Sequence, residues 1–179
     1  MLSASTNMTL PVTLRRMMAG DIPLLHHWLT RDHVVEWWGG ERPTLAMVSD
    51  IYLPRVEGKD GVTPYIGLLA GRPFAYAQSY VAMGSGDGWW EDETDPGVRG
   101  IDQSIGEAEL LNRGHGTRLV RALVAELFAD PSVTKIQTDP SPANARAIRC
   151  YEKAGFRYAR TVMTPDGPAH YMLLSRDGA

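Results

Sequence analysis

Apolar positions recur at helical spacing in some stretches of this chain and form short strand-like runs bounded by turn residues in others. Between residues 116 and 131, Leu119, Val120, Leu123, Val124, Leu127 and Phe128 recur at helical spacing, and Asp130 and Pro131 stop the run. A second helix is expected after Thr44, because Leu45, Val48, Ile51 and Tyr52 fall on one face. Two shorter helices are expected at 20–30 and 141–156. The first has Asp21 as N-cap and Pro23 in its first turn; the second has Pro142 near its start and Gly155 as its stop. Strands are expected at 13–18, 63–69, 74–82, 101–105 and 135–139, with a turn at 70–73 joining the second and third. Two last strands flank a hairpin candidate at 164–168. The order is mixed α and β, without an internal repeat or a break in composition.

Composition narrows the class. The chain has 179 residues, 44% of them hydrophobic and 22% charged, with a net charge of −3. That suits one soluble domain over 11–179 behind a flexible 1–10, and gives no basic surface for nucleic acid or membrane. A single cysteine, Cys150, excludes an internal disulfide framework and makes a reducing cytoplasm the default. The first residues lack the apolar stretch of a signal peptide, and no run is long enough for a membrane helix. His26, His27, His33, His115 and His170 show no zinc-ligand spacing, so no metal is expected.

The chemistry begins at Arg113-Gly114-His115-Gly116-Thr117, between an expected strand and an expected helix. Glycines let a ligand approach the backbone, and a helix start presents unpaired N–H groups at a positive dipole end. Such a place suits an anion, phosphates above all, with Arg113, His115 and Arg118 adding positive potential. The spacing is neither that of a P-loop nor the dinucleotide fingerprint. Taken alone, the stretch reads equally well as a tight turn.

One helix and one strand later comes Asn144, then Ala147, Tyr151, Lys153, Gly155 and Phe156. Loop and helix together resemble the GCN5-related N-acetyltransferases (GNAT). Within that family, residues 33–40, 62–66, 76–105 and 133–156 resemble the aminoglycoside 6′-N-acetyltransferases of type Ib, and the likeness runs from about Leu14 to Met172. It implies a GNAT fold: a mixed, mostly antiparallel, twisted sheet flanked by helices, splayed between two central strands. It also implies acetyl transfer from acetyl-CoA to an aminoglycoside 6′-amine by direct attack in a ternary complex. The alternatives are a GNAT enzyme acting on another amine, such as a polyamine or a protein N-terminus, and a non-catalytic acyl-CoA-binding module. The chain is expected to be a monomer or weak dimer.

By resemblance, Asp102 is the base and Tyr151 the acid toward the CoA sulfur. Gln103, Ser104 and Ile105 would offer backbone groups to pantetheine, Arg113, Gly114, His115, Gly116 and Thr117 would hold the pyrophosphate, and Asn144 would add a side-chain amide. Trp38, Tyr52, Gln78, Ser85, Asp87, Trp90, Asp102, Asp139 and Asp166 match positions around the aminoglycoside. The residues support a polycation independently. Residues 85–102 hold six acids (Asp87, Glu91, Asp92, Glu93, Asp95 and Asp102) where the chain's average gives about two, and Trp89 and Trp90 stand among them. Carboxylates pair with ammonium groups and aromatic rings attract them; the competing reading is a solvated face. Cys150 has no need of a partner base in direct transfer and reads as a packed small residue.

Overall fold

The computed structural model describes residues 10–178, so the expected flexible N-terminus lies almost wholly outside the described residues. Seven strands form one sheet: β1 (Val12–Arg16), β2 (Val62–Leu69), β3 (Arg72–Val81), β4 (Val98–Ile105), β5 (Lys135–Thr138), β6 (Arg157–Thr164) and β7 (Gly167–Ser175). Their order is β1-β2-β3-β4-β5-β7-β6. Every neighbouring pair is antiparallel except β4 and β5. That parallel pair shares only Val98↔Lys135, Arg99↔Ile136 and Gly100↔Gln137. Beyond Gly100, β4 runs on to Ile105 paired with β3 alone. The expected splay is therefore present, and it opens the sheet beside Asp102.

Helices cover the two faces. On one, α1 (Ile22–Leu29) and α3 (Leu45–Val56) bury Leu25, Trp28, Val48 and Tyr52 against Ile66 and Tyr76. On the other, α4 (His115–Phe128) and α5 (Ala145–Ala154) pack Val120, Leu123, Val124 and Tyr151 with Tyr65, Ala77, Ile101, Ile136 and Met172. Strand alternation produces this split: Ala77 and Tyr76 are neighbours on β3 yet belong to opposite clusters. Gly67 lets α4 approach β2, since a Cβ there would lie 2.6 Å from Leu119. Among the described residues, no helix is long and apolar enough to cross a membrane.

Several local expectations are corrected. Asp21 stands at the N-cap position of α1, but its carboxylate makes no cap bond there; it accepts both guanidinium nitrogens of Arg15 at 2.7 Å and the Met18 N–H at 2.8 Å. The ion pair ties β1 to the turn before α1, and β1 ends at Arg16 rather than Met18. A short α2 (Asp32–Val35) stands where no helix is expected. Thr44 caps α3 by accepting the Met47 N–H at 3.2 Å, but Leu45 and Ile51 are exposed, so its buried face is narrower than the pattern implies. Strand β4 begins three residues early, at Val98, because the end of the acidic loop pairs with both neighbours.

Candidate active site

The splay between β4 and β5 opens into one cleft of about 1230 Å³. One half of it is built from the free edge of β4, the start of α4 and the inner side of α5, with Gln103, Ser104, Ile105, Gly114, Gly116, Thr117, Asn144, Cys150 and Tyr151 in its lining. The two loop glycines are glycine for different reasons. Gly114 sits at φ +78° with open space around it, a conformation that favours glycine. Gly116 is buried, and a Cβ there would lie 3.2 Å from Cys150 Sγ, so its smallness lets α4 and α5 meet. The first carbonyl of α4 to accept a bond is Gly114's, from the Arg118 N–H. The preceding N–H groups of His115, Gly116 and Thr117 lack helical partners and point out of the helix start, where anions are favoured.

Two further groups fit an extended polar ligand here. Gln103 Oε1 is buried without a hydrogen-bond partner, an acceptor awaiting a donor. Asn144 caps α5, its Oδ1 accepting the Ala147 N–H at 3.1 Å, so only its NH₂ is left for a ligand. His115 departs from expectation. It packs edge-on to Phe74, meets Arg118, and is absent from the cleft lining, as is the exposed Arg113. Burial and the nearby arginines hold its pKa below the usual histidine value, so it adds little positive charge at neutral pH.

The other half is acidic and aromatic. Trp38 and Tyr52 stand edge-on to Tyr76 at 5.7 and 5.5 Å, and Trp38 Nε1 donates to Tyr52 Oη at 3.3 Å. Gln78 Nε2 donates to Asp102 Oδ2 at 2.8 Å. Asp139, just past β5, and Asp166, in the β6–β7 turn, also line the cleft. Burial pushes the Asp102 carboxyl above the usual range, although Gln78 and Arg55 pull it down. Asp139 is pushed up to about 7, mainly by burial and further by the charges of Asp102 and Asp166. With the Asp166 carboxylate nearby, these two raised carboxyls form a site short of cations. Tyr151 is buried against Phe156 at 5.5 Å, and burial with the Asp102 charge holds its hydroxyl well above the usual tyrosine value, neutral and able to donate.

The structure thus gathers most of the expected residues into one cleft, but it divides the acidic loop. Ser85 lines the cleft while its hydroxyl donates within its own turn to Ala82 O at 2.6 Å. Asp87 is exposed, at φ +53°, and lies outside the lining. Trp89, not Trp90, lines it; Trp90 stands behind, 5.2 Å from Tyr171 and donating to Tyr80 Oη at 3.0 Å. Glu93 pairs with Lys135 at 3.4 Å, and Asp95 accepts the Thr134 hydroxyl at 2.6 Å. Those two acids fasten the loop to the start of β5 and offer nothing to a ligand. Glu91 and Asp92 remain on the exposed side. Sequence reasoning missed Arg55 and Tyr80, which line the cleft. The signal for Arg55 was its place three residues after Tyr52 on α3, one turn along the same face. For Tyr80 it was the alternation Tyr76, Gln78, Tyr80 along β3.

Comparison with known proteins agrees with this geometry. The family model described as an acetyltransferase (GNAT) domain matches residues 17–164. An aminoglycoside N(6′)-acetyltransferase type 1 of Klebsiella pneumoniae is 64% identical over 176 residues, covering 97% of this chain and 88% of that relative. The crystal structure of the aminoglycoside acetyltransferase AAC(6′)-Ib in complex with coenzyme A superposes with a TM-score of 0.91 at 64% identity, covering 94% of this chain and 96% of that one. The same enzyme with coenzyme A and kanamycin gives a TM-score of 0.90 at 64% identity and the same coverage. By fold, by site and by kinship, this chain belongs to the GNAT acetyltransferase family.

Proposed function

We infer that this protein transfers the acetyl group of acetyl-CoA to the 6′-amine of aminoglycosides and so confers resistance to them. The observation that carries the reading is a single cleft with a phosphate-type helix start at one end, three neighbouring carboxyls at the other, and Tyr151 of α5 in its lining. Acetyl-CoA fits the first half: its diphosphate at the α4 start, its amide-bearing arm along the free edge of β4. A sugar carrying several ammonium groups fits the second half, where each ammonium relieves carboxyl repulsion.

Direct transfer assigns the remaining work. Asp102 holds the 6′-ammonium and accepts its proton, directly or through water. The freed nitrogen attacks the thioester carbonyl; the C–N bond forms, the C–S bond breaks, and the second proton of the nitrogen passes to solvent. Tyr151 donates a hydrogen bond, then its proton, to the departing sulfur, and solvent restores the tyrosine proton. The test is thiol release from acetyl-CoA with a panel of aminoglycosides, one of them bearing a hydroxyl in place of the 6′-amine. Release is expected with 6′-amines and absent with the 6′-hydroxyl compound. Equal release from both, or release with spermidine alone, would replace this reading with another amine acceptor.

A further inference from the structure

Arg55 lies near the end of α3, with its guanidinium over the Tyr52 ring at 4.7 Å from the ring centre. Its Nε donates to Asp60 Oδ2 at 3.1 Å and its Nη1 to Gln78 Oε1 at 2.8 Å. The Tyr76 hydroxyl donates to the same Gln78 oxygen at 2.8 Å. On its other side, Gln78 donates Nε2 to Asp102 Oδ2 at 2.8 Å. This chain of bonds has a direction. Arginine carries only donors, so the glutamine atom that faces Arg55 must be the oxygen. The amide nitrogen then faces Asp102, which as a carboxylate only accepts. In the flipped amide, NH₂ would meet a cation and C=O would meet a carboxylate, and both contacts would be repulsive.

We propose that Arg55 is a positioning residue for the acetyl transfer: it locks the Gln78 amide so that its NH₂ secures one oxygen of Asp102 and leaves the other to the incoming ammonium. The inference rests on the reading of Asp102 as the group that holds that ammonium. Without Arg55, Tyr76 could accept as readily as donate, and the amide would lose its preferred orientation. The carboxylate would then lose both a fixed partner and the field of a nearby cation. Asp139 and Asp166 face Asp102 as acids and Tyr52, Tyr76, Tyr80 and Tyr151 as phenols, so among the groups around it Arg55 is the one whose charge favours its ionised form.

A double-mutant cycle in kcat/KM for an aminoglycoside, measured across pH, tests the proposal with Arg55→Met, Gln78→Leu and the pair. Arg55→Met is expected to lower kcat/KM by about tenfold, the scale of a hydrogen bond that governs a charged group. It should move the acidic limb to higher pH and leave the KM for acetyl-CoA near the parent's. In the Gln78→Leu background the same change should cost clearly less, because the bond through which it acts is gone and only the field of the cation remains to be lost. Arg55→Lys, which also only donates, should recover part of the loss. Equal losses in both backgrounds, or an unmoved acidic limb, would overturn the proposal, since lost stability alone behaves that way. Asp102→Asn, measured alongside, separates the two levels. If it keeps the parent's kcat/KM, the reading of Asp102 fails and takes this proposal with it. If it is inactive and the cycle is additive, only the Arg55 proposal fails.

Discussion

At the residue scale, the two groups proposed to move protons sit in environments that suit different tasks. Tyr151 is held neutral by burial, and Asp102 is a carboxyl raised by burial yet kept in reach of the ionised form by Gln78 and Arg55. Tyr151→Phe keeps the ring against Phe156 and removes the donor. It should lower kcat by about 10²-fold, the scale of general acid catalysis, with both KM values near the parent's in steady-state kinetics. Asp102→Asn should lower kcat and also raise the aminoglycoside KM, because one carboxylate both holds the ammonium and takes its proton. A Tyr151→Phe enzyme at the parent's rate would assign protonation of the sulfur to water. An Asp102→Asn enzyme with the parent's rate and affinity would move the base to Asp139.

At the element scale, close approaches of backbone to side chain hold the cleft in shape. Gly100 on β4 leaves room for Tyr80, since a Cβ there would lie 2.1 Å from its ring. Tyr80 in turn receives Trp90, which rests on Tyr171. Gly100→Ala should therefore displace the aromatic wall of the acceptor half, raising the aminoglycoside KM with little change for acetyl-CoA. A crystal structure or kinetics of the variant would show whether that wall holds its place. At the start of α4, Gly116→Val should press on Cys150 and lower stability by about 1–3 kcal/mol, the usual cost of overpacking, while weakening acetyl-CoA. Thermal unfolding and a calorimetric titration of acetyl-CoA check both. Tight binding by a folded Gly116→Val would remove the α4 start from the diphosphate site.

For the whole molecule, the acidic half links function to stability. The Asp139 carboxyl is raised to about 7 in the folded chain, against about 4 when unfolded. A raised carboxyl contributes stability fully below the unfolded value and loses it as pH rises through the folded one. Asp139→Asn should thus raise Tm relative to the parent at pH 8, and the advantage should shrink toward pH 4, as calorimetry across that range would show. Opposite linkage belongs to Asp21, held below the usual carboxylate range by Arg15; its contribution is present at neutral pH and is lost only as pH falls through its lowered value. Aminoglycoside binding should also weaken with salt, because ammonium–carboxylate attraction at the cleft mouth is screened. A KM that is flat from low to high salt would count against charge as the basis of recognition.

Local patterns in the sequence determined much of this. The apolar stripe of α4, the turn between β2 and β3, the start of α3 after Thr44 and the stop at Gly155 all express preferences of a few neighbouring residues, and such preferences survive in any context that does not oppose them. The Gly114-His115-Gly116 stretch and the Tyr151 helix were legible for the same reason, and their resemblance to a known family joined them into one function. Tertiary structure alone decided which polar residues face the cleft. Five acids in one loop look alike along the chain, yet Glu93 and Asp95 turn to Lys135 and Thr134 while Asp87 stays in solvent. It also decided that the Asp21 carboxylate turns to Arg15 and Met18 rather than to the start of α1, and that Arg55 reaches Gln78, 23 positions away, and through it Asp102. The physical reason is range. Periodicity and capping act over one or two turns of chain, whereas the partner of a charged side chain is set by whichever group the folded sheet brings within about 3 Å.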